Sequence, residues 1–205
     1  MTLRRAAAAA LAAALLAAAA GCGTATRFMI EIDGAQYTEP GPLADSSEYL
    51  VRARLTGDPE PRGDAGEAMR WWISDAVVTE VVAQRPDVGD RLAPGAALRI
   101  GTLLLDARRS GSIANFAELA RDWPTEADRA SAGEEVVAFL VHRPDLAGHG
   151  PGYEAVGQAL VRPDGRASMR ALPGPLNGDV VLLAAVTSDL RLRYAGPARW
   201  RRNGA

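Results

Sequence analysis

Apolar and polar positions along this chain repeat mostly at period two. Tyr49, Val51, Ala53 and Leu55 alternate with Leu50, Arg52, Arg54 and Thr56, the pattern of a strand with one covered face. Residues 57–66 then break the pattern with two prolines, three glycines and three acids, and read as a solvated loop. Residues 71–82, rich in β-branched and aromatic side chains, read as a long strand. After a turn region at 85–95, Leu98, Ile100, Thr102 and Leu104 give a third. Between residues 112 and 123 the period changes: Ile113, Phe116, Leu119 or Ala120, and Trp123 recur at helical spacing, Ser112 can cap, and Pro124 stops the run. Residues 135–142 form a strand with apolar side chains on both faces, Val136, Ala138 and Leu140 against Val137, Phe139 and Val141, so both faces should be covered. Weaker strands at 153–161 and 167–172 are joined by Pro163-Asp164-Gly165, residue types that favour a tight hairpin. Residues 179–188 have no clean period, and helix and strand both stay open.

Short strands separated by Gly/Pro turns, one helix partway and no strand–helix alternation predict a mainly β fold, a small antiparallel barrel or sandwich. The order strand, acidic loop, long strand, Pro86-Asp87-Val88-Gly89-Asp90 turn, strand, helix, then Gly133-Glu134-Glu135 leading into 136–141 resembles a type of secreted bacterial domain similar to netrin-like and metalloproteinase-inhibitor-like barrels of the OB-fold class. The resemblance spans residues 48–172 and implies an OB-like barrel. The disulfides and N-terminal cysteine of the animal inhibitors have no counterpart at the matching positions, so it implies no inhibitory activity.

The first 21 residues follow a different rule. Residues 1–5 carry Arg4 and Arg5, and residues 6–20 are apolar without interruption, the length of a signal peptide's core and short of the ~20 residues of a membrane-spanning helix. Ala19-Ala20-Gly21-Cys22 resembles the lipobox of bacterial lipoproteins, which implies lipid attachment at Cys22. Independently, Cys22 is the chain's only cysteine and has no disulfide partner within it. The flanks of Arg4-Arg5 lack the rest of a twin-arginine motif. The domains expected are a signal segment at 1–21, a tether at 22–47 with one apolar alternation from Phe28 to Ile32, a barrel at 48–190, and a basic tail at 191–205.

Composition narrows the chemistry. All 23 basic residues are arginine. Without lysine there is no P-loop, no Schiff base and no serine–lysine pair. The formal net charge is −2, and loss of the leader with Arg4 and Arg5 leaves 21 basic against 25 acidic side chains, which gives no bulk affinity for nucleic acid. The last fifteen residues hold Arg191, Arg193, Arg199, Arg201 and Arg202 and no acid. That tail is expected either to contact anionic headgroups or to be a solvated terminus.

Candidate sites are sparse. His142 and His149 are the only histidines and lie outside any triad or zinc motif; they read as a strand-end and a loop residue. Asp58, Glu60, Asp64 and Glu67 have the wrong spacing for a calcium loop. Arg62-Gly63-Asp64 spells an adhesion tripeptide that chance accounts for. Glu134 and Glu135 are adjacent on a strand and point to opposite faces. Trp71-Trp72 can place one ring in a core and leave the other for a binding surface. No cofactor motif is present. The expectation is an exported, lipid-anchored, non-enzymatic binding or envelope-associated module on the outer face of the cell membrane, contacting the membrane through Cys22 and a protein or envelope ligand elsewhere. An exported enzyme of unrecognised type and a structural envelope protein with a membrane-contacting tail are the alternatives.

Overall fold

The computed structural model describes residues 37–62, 69–109, 111 and 114–196. In chain order they form α1 (Pro40–Asp45), β1 (Tyr49–Leu55), β2 (Glu60–Arg62), β3 (Met69–Gln84), β4 (Ala97–Leu105), α2 (Phe116–Asp122), β5 (Glu135–Arg143), β6 (Gly152–Val161), β7 (Arg166–Arg170), β8 (Val180–Leu182) and α3 (Leu183–Thr187), with 3-10 turns at Ala107–Arg109, Glu126–Asp128 and Arg191–Ala195.

β1 pairs antiparallel with both β3 and β5, β3 with β4, and β5 with β6. A parallel contact, Ile100 with Tyr153 and Gly101 with Glu154, joins β4 to β6 and closes the ring β1-β3-β4-β6-β5. Of the small, mainly β barrel or sandwich expected from the pattern, the barrel is the fold observed. Its interior holds Val51, Ala53, Val78, Ile100, Val136 and Leu140, and Val88 and Leu92 from the 85–96 turn region pack into the same cluster.

β6 runs on past the ring into β7 and β8. The outer faces of β1, β5, β6 and β7 present Leu50, Val137, Phe139, Ala159 and Met169 to a second core, which is completed by Leu43 of α1, Leu172 and Leu176 of the following loop, Val186 of α3, and Leu190 and Tyr194. β5 thus lies between two cores, which is why residues 136–141 are apolar on both faces. Burying each such side chain contributes on the order of 1.5–3 kcal/mol.

The second core corrects both expected boundaries. Residues 37–47 are part of the fold and not a tether: the Tyr37 N–H donates to Pro173 O (3.0 Å), the Leu176 N–H donates to Tyr37 O (3.0 Å), and Leu43 and Ala44 are fully buried. Pro40-Gly41-Pro42 starts α1, since proline is favoured in the first helical turn. Residues 191–196 are likewise folded in, with Tyr194 buried. The Tyr194 and Ser47 hydroxyls share a 2.6 Å hydrogen bond. Burial raises the Tyr194 phenol above its ordinary range, and the Ser47 hydrogen bond and the Arg85 charge only partly oppose that. Tyr194→Phe is expected to cost about 1 kcal/mol in urea unfolding, the net value of one buried hydrogen bond.

Other elements differ in detail. Part of the expected loop at 57–66 is β2, an edge strand that pairs Glu60 with Ile73 and Arg62 with Trp71. The helix expected over 112–123 is described only as α2, with Asn115 at its N-cap making no side-chain cap; Phe116, Leu119, Ala120 and Trp123 do pack together, against Leu105 and Met69, as their period requires. Ser112 and Ile113 lie outside the described residues. The undecided stretch at 179–188 is both: strand to Leu182, helix from Leu183. The 163–165 hairpin forms, with Gly165 at φ +77° and the Arg162 N–H donating to Arg166 O (2.9 Å).

Candidate functional site

The barrel interior is filled, so concave surface has to come from outside it. Along β3, Trp72, Ser74, Ala76 and Val78 are buried, while Ile73, Asp75 and Val77 alternate to the outer face. The register sets Asp75 opposite Arg99 of β4, with Arg99 Nε 4.0 Å from Asp75 Oδ1. The pair is largely exposed, so it adds little stability and leaves both charges available to a ligand.

Two walls rise around this pair. One is the β1–β2 connection and β2 itself, with Asp58, Pro59, Glu60 and Arg62. The other is the loop 144–151, which folds back over β4 because Gly101 and Gly152 carry no side chain and Leu146 fills the space above both. The loop is held by the Gly150 N–H donating to an Asp145 carboxylate oxygen (3.0 Å) and by Arg99 Nη1 donating to the His149 carbonyl (2.9 Å). Between the walls is a groove of about 440 Å3, floored by Ile73, Asp75 and Arg99.

A second groove, of about 630 Å3, starts from the same Asp75–Arg99 pair and reaches His142, Tyr153 and Asp90. Here Tyr153 packs edge-on against Tyr49 and His142, with both ring centroids 5.5 Å away. The Tyr49 hydroxyl donates to Asp90 O (2.9 Å), and the buried Glu48 carboxylate accepts the His142 N–H (2.8 Å). Burial, and then the charges of Asp90 and Glu48, raise the Tyr153 phenol above its ordinary value, so it stays a hydrogen-bond donor at neutral pH.

The structure separates several residues that sequence had grouped. His142 and His149 line different grooves, and no group of three metal-ligating side chains occurs among the described residues. Asp58 accepts the Ala132 N–H (3.1 Å) and Glu60 is ion-paired with Arg62; Gly63, Asp64 and Glu67 lie outside the described residues. Glu135 binds Arg52 and Thr79, whereas Glu134 accepts the Ser131 N–H. Trp72 is 4% exposed, at the barrel mouth, with the Arg129 guanidinium 4.8 Å above its ring; beneath it Gln158 donates to Thr102 (3.0 Å). Trp71 is half-buried on the outer face. Arg191 pairs with Glu80 (3.9 Å) and Arg193 with Asp45 (2.9 Å). Cys22, Arg199, Arg201 and Arg202 lie outside the described residues.

Comparison with known proteins finds no match: no family model fits the chain, and no curated protein or solved structure is significantly similar to it. The groove therefore has to be read from its own chemistry. Together the two grooves offer charges of both signs, a phenol and two imidazoles, with Ala76, Val77 and Leu98 as apolar lining in the second, the equipment for holding a polar ligand that carries some apolar surface. Asp75, Arg99, Asp90 and Tyr153 went unnoticed in the sequence. Asp75 was visible as the one charge within an otherwise apolar stretch of β3, but only the register pairs it with Arg99.

Proposed function

We propose that this chain is an exported, lipid-anchored binding module, held by Cys22 and presenting the Asp75–Arg99 grooves to a polar ligand of the cell envelope. The observation that carries the reading is the contrast between a filled barrel and an open, charge-lined concavity on one outer face, framed by loops. Loops carried on a rigid scaffold are where binding residues concentrate. The signal-like leader and the lone Cys22 support export and anchoring.

The reading in which an arginine tail attaches the protein directly to membrane is supported less. Arg191 and Arg193 are already neutralised by Glu80 and Asp45.

Anchoring is tested by intact mass and membrane partitioning of the native protein beside Cys22→Ser. The native chain should gain a diacylglyceryl group and sediment with membranes, and the variant should be soluble. A native protein that is soluble and begins at another residue defeats the anchored reading. The groove is tested separately, by titrating envelope glycan and peptide fragments into the soluble variant with and without Arg99→Glu. Binding that Arg99→Glu leaves unchanged excludes the groove.

A further inference from the structure

The open sheet beside the barrel ends in two edges, and they are built oppositely. β2 at one end is Glu60-Pro61-Arg62: two charges and a proline, residues that discourage another strand from pairing. β8 at the other end is Val180-Val181-Leu182, with no charge, no proline and no glycine. Val180 is 42% and Leu182 64% exposed, two of the three exposed large hydrophobics among the described residues.

The β7–β8 register shows which backbone groups are free. The Met169 N–H donates to Asp179 O and the Leu183 N–H donates to Gly165 O. Ser168↔Val180 and Arg166↔Leu182 are therefore non-hydrogen-bonded pairs, and Ala167↔Val181 is the bonded one between them. The N–H and C=O of Val180 and the N–H of Leu182 point away from β7, to the open side, while the Leu182 C=O opens α3 as its N-cap. The two residues with exposed apolar side chains thus also carry the outward backbone groups, a donor and an acceptor at Val180 and a donor at Leu182, while Val181 packs into the second core.

We propose that the β8 edge receives an extended segment of a partner protein, which adds as a further antiparallel or parallel strand. Charge indicates its chemistry. Arg166 lies directly opposite Leu182, on the same face, is exposed and makes no ion pair among the described residues; Arg162 is exposed nearby. The neighbouring acids are Asp164, whose carboxylate accepts the Arg166 N–H (3.1 Å), and Asp179. The fitting partner has small apolar side chains at alternate positions, against Val180 and Leu182, and a carboxylate within reach of Arg166. Backbone pairing supplies affinity and the alternate side chains supply selectivity. This surface is separate from the Asp75–Arg99 grooves and does not depend on them.

The test uses the mature chain with Cys22→Ser, isotopically labelled, and the probe peptide acetyl-Thr-Val-Glu-Val-Thr-Val-amide. Addition of peptide should slow hydrogen exchange at the Val180 and Leu182 amides at least tenfold, and a peptide N-methylated at alternate residues should not. Leu182→Pro is an informative variant: Leu182 sits at φ −67°, which proline adopts, and its N–H serves no bond to β7, so the fold should persist while peptide protection disappears. Leu182→Lys, which keeps the N–H, should weaken binding several-fold. Unchanged exchange at millimolar peptide, or equal binding of the N-methylated peptide, overturns the proposal. So does protection already present without peptide: if independent of protein concentration, the chain's own residues cover the edge, and if it rises with concentration, a second copy does.

Discussion

Arg85→Met is expected to lower the unfolding free energy by about 3–5 kcal/mol, a large part of the 5–15 kcal/mol that holds an ordinary domain together. Arg85 is 2% exposed. Its Nε donates to Ser47 O (2.8 Å), Nη2 to Ala44 O (2.7 Å), and Nη1 to Arg193 O (3.0 Å) and Gly196 O (2.8 Å). The guanidinium carbon lies 4.9 Å from the centre of the Tyr194 ring. One planar fork thus ties the end of α1 to the last described turn, segments more than 140 residues apart, and both segments carry the lid of the second core. Methionine keeps much of the apolar stem but strands the carbonyls, and the cost lies in those unmatched acceptors. Lysine is no substitute, because a single ammonium cannot reach four divergent carbonyls; Arg85→Lys should lose about 2 kcal/mol. Urea unfolding reads both values, with the slope unchanged if only the native state is affected. A loss under about 1 kcal/mol for Arg85→Met would mean that the carbonyls are resolvated and that the clamp is not what closes the second core.

The strands were legible because their signal is local. Alternation at 49–55 and two-sided apolarity at 135–142 follow from what each strand touches, and β1 and β5 appear almost residue for residue. Ring closure was not legible. It rests on the parallel contact of Ile100 and Gly101 with Tyr153 and Glu154, which leaves no mark in composition. The second core was hidden for a related reason: Tyr37, Leu43, Leu190 and Tyr194 are isolated apolar residues in polar stretches, and they acquire meaning only when both ends of the domain meet over β5. Arg85 begins a Pro/Gly-rich turn, and nothing local marks it as buried, since arginine seldom is; the carbonyls that justify its burial come from distant segments. For the groove, the alternation of β3 carries Asp75 to the outer face, but nothing local marks it as a site, and its partner and both walls depend on the register and the fold of the 144–151 loop.

The 144–151 loop sits where it does because Gly101 has no side chain. A Cβ at Gly101 would lie 2.8 Å from Leu146 Cδ1, 3.0 Å from Cδ2 and 3.1 Å from Ile73 Cδ1, closer than packed carbons tolerate. Gly101→Val adds two further carbons with one stiff rotamer and is expected to cost about 2–3 kcal/mol through overpacking. The strain should be relieved by lifting Leu146, and with it His149, whose carbonyl holds Arg99 at the groove floor. Ligand binding in the groove should therefore fall together with stability. Leu146→Ala alone leaves a void above Gly101 and Gly152 and should cost at least as much. Combined, the two changes exchange bulk across one contact: valine on β4 fills part of the space the leucine leaves. The double variant should then be more stable than the sum of its parts by at least about 1 kcal/mol, with groove affinity partly restored. Additivity within about 0.5 kcal/mol would show that Gly101 and Leu146 do not compete for the same volume. The loop would then be held mainly by its own hydrogen bonds at Asp145 and His149, and the wall of the groove would be set independently of β4.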